Sequence, residues 1–120
     1  MPSGSAGGAL LTRSQYDLKH TVTTIATNGP IPVKRGIVRF TKATAAAAIL
    51  ANPTAADEGS ELILTNGSAA AHVITGSYQD GVTGGLKTTI TMAAFIGATA
   101  TLIAVNGQWF VKSLNAAPIT

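Results

Sequence analysis

At 120 residues the chain has room for one domain, and its charged residues amount to 11%, where about 25% is usual for soluble domains. It contains no cysteine, which excludes disulfide staples and thiolate metal sites. The uncharged stretch 88–111 falls short of the roughly 20 apolar residues a membrane-spanning helix needs: its most apolar part, 92–105, is interrupted by Gly97, Thr99 and Thr101.

The first eight residues, Met1 to Gly8, have neither the basic segment nor the apolar core of a secretory signal. Residues 1–33 read as an extended N-terminal arm. Gly4, Gly7 and Gly8 begin it, Asn28-Gly29-Pro30-Ile31-Pro32 ends it, and His20 to Thr27 is its one strand-like run. Prolines cannot donate ladder hydrogen bonds and favour extended or turn geometry. Residues 34–114 form the expected β body and 115–120 a C-terminal tail. The body opens with Gly36 to Thr41, where Ile37, Arg39 and Thr41 alternate with Val38 and Phe40. Thr44 to Ala51 has high helix propensity, but it is short and stopped by Pro53, so a short strand is expected there. The segment 52–59 is a turn, Glu61 to Thr65 a strand before Asn66-Gly67, and Ala71 to Thr75 a strand before the glycine-containing loop 76–85. Leu86 to Met92 alternates in the strand period. The clearest signal is Ala100 to Lys112, in which Asn106-Gly107 sits between apolar runs. That dipeptide accepts positive φ at both central positions of a type I′ hairpin turn. Short strands at this spacing predict a mainly β fold, a small antiparallel β-barrel or sandwich.

Threonine and alanine dominate this body. Threonine suits the pleat, whereas alanine buries little area, so stabilisation falls on a few large side chains. Phe40, Leu62, Leu64, Ile90, Phe95, Leu102, Trp109 and Phe110 stand out. So thin a core predicts a marginal monomer completed by oligomerisation, with Phe40, Leu102, Trp109 and Phe110 expected in the core or between subunits.

Charge is divided along the chain. Arg13, Lys19, Lys34, Arg35, Arg39 and Lys42 face only Asp17 in residues 1–42, while the remainder is mildly acidic. A basic front segment invites an acidic partner or serves as a solvated tail. The cations are scattered, with only Tyr16 and Phe40 among them, so no base-stacking platform for nucleic acid is expected. Catalytic motifs are absent too: there is no Gly-x-Ser-x-Gly, His-Glu-x-x-His or phosphate-binding loop. His72 reads as a structural histidine ahead of a ligand or base. Residues 57–61 (DEGSE) read as a solvated turn ahead of a calcium loop, whose ligand spacing they lack. Trp109 reads as a core anchor ahead of a sugar-stacking platform.

Four runs in order carry a resemblance: ANPTAADEGSEL at 51–62, AAHVIT at 70–75, IGATATL at 96–102 and AVNGQWFV at 104–111. Over residues 36–114 this set resembles small virion proteins of tailed bacteriophages, of the capsid decoration (cement) and head-fibre type. The resemblance implies a non-enzymatic β domain, trimeric, attached to the outer head surface of the virion after assembly in the host cytoplasm. It implies the major capsid protein as partner, through an arm bearing Arg13, Lys19, Lys34 and Arg35, and neither cofactor nor metal; from charge scatter and apolar length, no nucleic acid and no membrane are expected as partners. The alternative it leaves open is a head-fibre or tail-fibre module binding host glycans, with exposed Trp109 or Tyr78 beside Asn106 and Gln108.

Overall fold

The computed structural model describes residues 19–120 and is mainly β. Nine strands follow one another: β1 (Val22–Ile25), β2 (Gly29–Pro30), β3 (Gly36–Phe40), β4 (Ala47–Ile49), β5 (Glu61–Asn66), β6 (Val73–Gln79), β7 (Leu86–Thr91), β8 (Thr99–Val105) and β9 (Gln108–Asn115). A single 3-10 turn, Ala55–Asp57, lies between β4 and β5. All nine strands belong to one curled, open sheet of order β1-β3-β5-β8-β9-β6-β4-β2, with β7 on the other side of β6.

The short strands suggested an antiparallel barrel or sandwich; the fold is mainly β, but its curled open sheet is largely parallel in the first six strands. Consecutive strands among the first six never pair. Instead β1, β3 and β5 run parallel in one half, and β2, β4 and β6 run parallel in the other. The chain therefore winds, adding one strand to each half per circuit. Antiparallel pairing enters only where β8 joins β5, β9 joins β8, and β7 joins β6. Parallel strands need a crossover rather than a tight turn, and here each crossover is the opposite half of the sheet.

Winding also absorbs the described part of the segment that the sequence marked as an arm. β1 pairs with β3 from Val22↔Ile37 to Ile25↔Phe40, β2 pairs with β4, and Ile31 is buried in the core. Pro30 is accommodated because β2 is a two-residue edge strand, where a missing donor costs no ladder bond. The tail is absorbed likewise. Residues 116–120 lie along β7, with Thr88 and Thr89 N–H donating to the Thr120 carbonyl, Thr91 N–H to Pro118, and Ala117 buried. Those five residues cover the edge of β7, whereas the outer edge of β1 has no strand beside it among the described residues.

Inside the curl, Val38, Phe40, Leu62, Leu64, Ile74, Ile90, Met92, Leu102, Tyr78 and Trp109 are all fully buried. Ala46, Ala48, Ala98, Ala100 and Ala104 fill the remaining positions, so the core uses small residues to bring strands close around a few large ones. Trp109 Nε1–H donates to the Ala51 carbonyl at 2.9 Å and Tyr78 hydroxyl to the Ile74 carbonyl at 3.0 Å, which satisfies both polar tips. Burial pushes the Tyr78 phenol well above its ordinary pKa. Phe95, counted among the large stabilising side chains, faces outward on the β7–β8 loop, and Phe110, expected in the core or between subunits, alternates with inward Trp109 on β9 and is exposed.

Candidate interaction surface

One rim of the curl collects the amino ends of β1, β3 and β5. An open cleft of about 1370 Å³ lies there, lined by Lys19, His20, Lys34 and Arg35 on one side and by Asp57, Glu58 and Glu61 on the other. The 3-10 turn sets the acidic wall. Asp57 accepts from Thr54 N–H at 2.7 Å and from Thr54 hydroxyl at 3.0 Å, closing a local cap. The Thr54 amide is the largest influence and holds the Asp57 carboxyl below its ordinary pKa; burial opposes it, and the Thr54 hydroxyl and the nearby Lys34 and Arg35 charges add to the lowering.

The wall is electrically spent. Lys34 Nζ lies 3.9 Å from Asp57, Lys112 Nζ lies 2.9 Å from Glu61, and His20 Nε2 lies 3.8 Å from the other Glu61 oxygen. Glu58 accepts from Asn106 N–H at 2.8 Å. Asp80, the remaining carboxylate among the described residues, closes its own loop by accepting from Thr83 hydroxyl at 2.5 Å and Val82 N–H at 3.0 Å, which lower its pKa in that order. All four described carboxylates are thus engaged within the chain. Lys19, Arg35, Arg39, Lys42 and Lys87 have no carboxylate within salt-bridge distance among the described residues. Arg35 sits at the cleft and Arg39 on the outer face of β3, both exposed.

The expected contact residues are therefore divided. Arg13 lies outside the described residues, Lys19 and Arg35 are exposed at the cleft, and Lys34 is turned to Asp57. Phe40, Leu102 and Trp109 are core, while Phe110 is 41% exposed on the outer face. Arg39 was not among the expected contact residues, and Phe95, counted with the large stabilising side chains, forms with Ile96 an apolar loop tip, 53% and 73% exposed. The alternation in β3 carries the signal for Arg39, since it opposes buried Val38 and Phe40.

Neither a sugar-stacking aromatic nor a calcium loop has the geometry it needs among the described residues. Trp109 and Tyr78 are fully buried, so neither offers a face to a sugar. Residues 57–61 direct their carboxylates to three different partners, and no group of three His, Cys, Asp or Glu among the described residues is placed to hold a metal ion. No helix of the described chain is long and apolar enough to cross a membrane. The described surface carries cations with no carboxylate within salt-bridge distance and exposed apolar side chains such as Phe95, Ile96 and Phe110. No protein-family model matches the sequence, and no curated protein matches it either.

Proposed function

We propose that the chain is a decoration protein of a tailed-phage head, which binds the outer shell and bridges neighbouring capsid subunits. The observation that carries this reading is the one-sided charge state of the described surface: every carboxylate has a partner inside the chain, while Lys19, Arg35 and Arg39 do not. A surface of that kind is complementary to an acidic one and gains little from its own neighbours. The ordered phage-like runs at 51–111 support the same class of partner.

In this reading Lys19, Arg35 and Arg39, with Arg13 from the preceding segment, meet acidic patches of the major capsid protein. Lys34 contributes less, because Asp57 already balances it. Exposed Phe110, Phe95 and Ile96 add apolar area for contacts between copies in a trimer. Three subunits bound together make attachment multivalent, so modest single contacts give lasting occupancy, and preferential binding to the intact shell stabilises it by mass action. A glycan-binding fibre module is disfavoured by the burial of Trp109 and Tyr78.

The test is binding to purified phage heads stripped of their outer layer, followed by counting copies per particle by quantitative mass spectrometry. Hundreds of copies, lost in the Arg35→Glu/Arg39→Glu double variant and on raising salt, are expected. Saturation at a handful of copies, or binding indifferent to both changes, overturns the reading. Deletions should stop at residue 18, because removing 19–33 also removes β1 and β2.

A further inference from the structure

At the rim opposite the cleft, His72 is fully buried between three loops and belongs to no surface described above. Its hydrogen bonds define its protonation. Ala46 N–H donates to Nδ1 at 3.0 Å, and a backbone amide cannot accept, so Nδ1 must carry a lone pair. Ser68 Oγ lies 2.8 Å from Nε2 and 2.7 Å from the Lys42 carbonyl. The carbonyl can only accept, so the Ser68 hydroxyl hydrogen goes to Lys42, and the ring donates Nε2–H to the Ser68 oxygen. The neutral Nε2–H tautomer is thereby required at every contact. The backbone of His72 is tied in as well, its N–H to Ala70 and its carbonyl to Met92 N–H, while Val73 N–H donates to Ala46.

The surroundings offer nothing to a charged ring. Phe40 stacks on the imidazole with centroids 5.5 Å apart. Lys42 is the charged group that bears on it, and its sign is unfavourable. The loops and strands packed around the ring bring no carboxylate, since Asp57, Glu58, Glu61 and Asp80 are all engaged elsewhere.

We propose that His72 is an acid-sensitive latch: a proton added at Nδ1 turns its lone pair into an N–H facing the Ala46 N–H, and the 41–46 loop is released from the 67–72 loop. The Nε2–H···Ser68 bond survives that step, so release begins at Ala46. Desolvation, then the Lys42 charge, lowers the affinity of the folded ring for that proton, and the latch stays closed until the pH falls below the ordinary histidine value near 6.5.

The experiment uses the full chain and two NMR readouts. Long-range nitrogen–proton correlations on the ring report its tautomer, and amide exchange at Ala46 reports the latch. The expected result is the Nε2–H tautomer at neutral pH. Once intrinsic rates are removed, opening at Ala46 should rise about tenfold per pH unit below about 6.5, while the β8 amides stay protected. His72→Asn places an amide oxygen near the former Nδ1, and Ala46 protection in that variant should lose its pH dependence. An Nδ1–H tautomer, an Ala46 profile flat across this range, or loss of protection at Ala46 and β8 together overturns the proposal. If His72→Asn does not fold, the tautomer and the exchange profile of the unaltered protein decide the matter alone.

Discussion

The same dipeptide, Asn-Gly, stands at both rims of this sheet and does opposite work. Asn106-Gly107 is a turn complete in itself: φ is 53° and 74° at the two residues, Val105 pairs with Gln108, and both turn residues are exposed. Asn66-Gly67 is a junction. Asn66 is 1% exposed, and its amide donates to the Ala70 and Ala93 carbonyls while its oxygen accepts from Ser68 N–H. Its backbone accepts from Gly97 N–H and donates to Ala98. Gly67 has no positive φ; it is needed because a Cβ there would lie 3.1 Å from the Phe40 carbonyl and 2.8 Å from Arg39 Nε. One rim is held by local backbone geometry and the other by a buried side chain that gathers three loops.

The largest expected effect follows from breaking the junction. Asn66→Ala takes one donor from the Ala70 and Ala93 carbonyls, which keep His72 N–H and Phe95 N–H, and leaves the Ser68 amide without its acceptor; it should cost about 1–3 kcal/mol in urea denaturation. Asn66→Asp keeps the shape but sets lone pairs against Ala70 and Ala93, and should cost more than Asn66→Ala at neutral pH. A reversed order would show that packing, not hydrogen bonding, holds this rim.

Exchanging the glycines sharpens the contrast. Gly107→Asn should cost no more than about 0.5 kcal/mol, since asparagine tolerates the left-handed region and the nearest atom, the Pro53 carbonyl, is 3.9 Å away. Gly67→Asn should cost above about 1 kcal/mol, because the strand end cannot move from Phe40 without breaking the Gly67 N–H bond to it. Equal costs in thermal melts would erase the distinction.

Acid should destabilise the fold in two separate windows. The folded state binds a proton at His72 less readily than the unfolded chain, so stability falls as pH drops below about 6.5 and the loss saturates below the lowered folded value. Asp57 and Asp80 also have lowered values, so their contribution is present above 3.8 and disappears as pH falls through their folded pKa. A denaturant midpoint followed against pH should show two steps in unaltered protein and only the lower one in His72→Asn. The smallest effect is expected for Lys112→Ala, an exposed partner of Glu61, at below about 0.5 kcal/mol.

The turn rim was legible in the sequence because everything it needs lies within a few residues: Asn106-Gly107 between apolar runs, and the alanine run ended by Pro53 as a strand. The junction was not. Nothing adjacent to Asn66 says that its partners are Ala70 and Ala93, which the winding of the chain brings together. The winding itself was hidden for a related reason. Period-2 alternation reports that a segment is a strand and which face is buried, but not its neighbour, so β1 and β2 read as an arm when they are two courses of the sheet. At the candidate surface, Lys34 and Arg35 are adjacent in sequence, yet only Lys34 finds a carboxylate, because the turn at Ala55–Asp57 delivers Asp57 to it across 23 positions of chain.

The place of β9 has a consequence for how the molecule is made. Of the nine strands it emerges last from the ribosome, yet it lies mid-sheet, joining the half containing β8 to the half containing β6 through Tyr78↔Trp109 and Gln79↔Phe110. The nascent chain can wind its earlier courses, but the two halves stay unjoined until that keystone arrives with its indole. Completion therefore waits for β9, and loss of the β8–β9 hairpin should leave soluble precursors that never close.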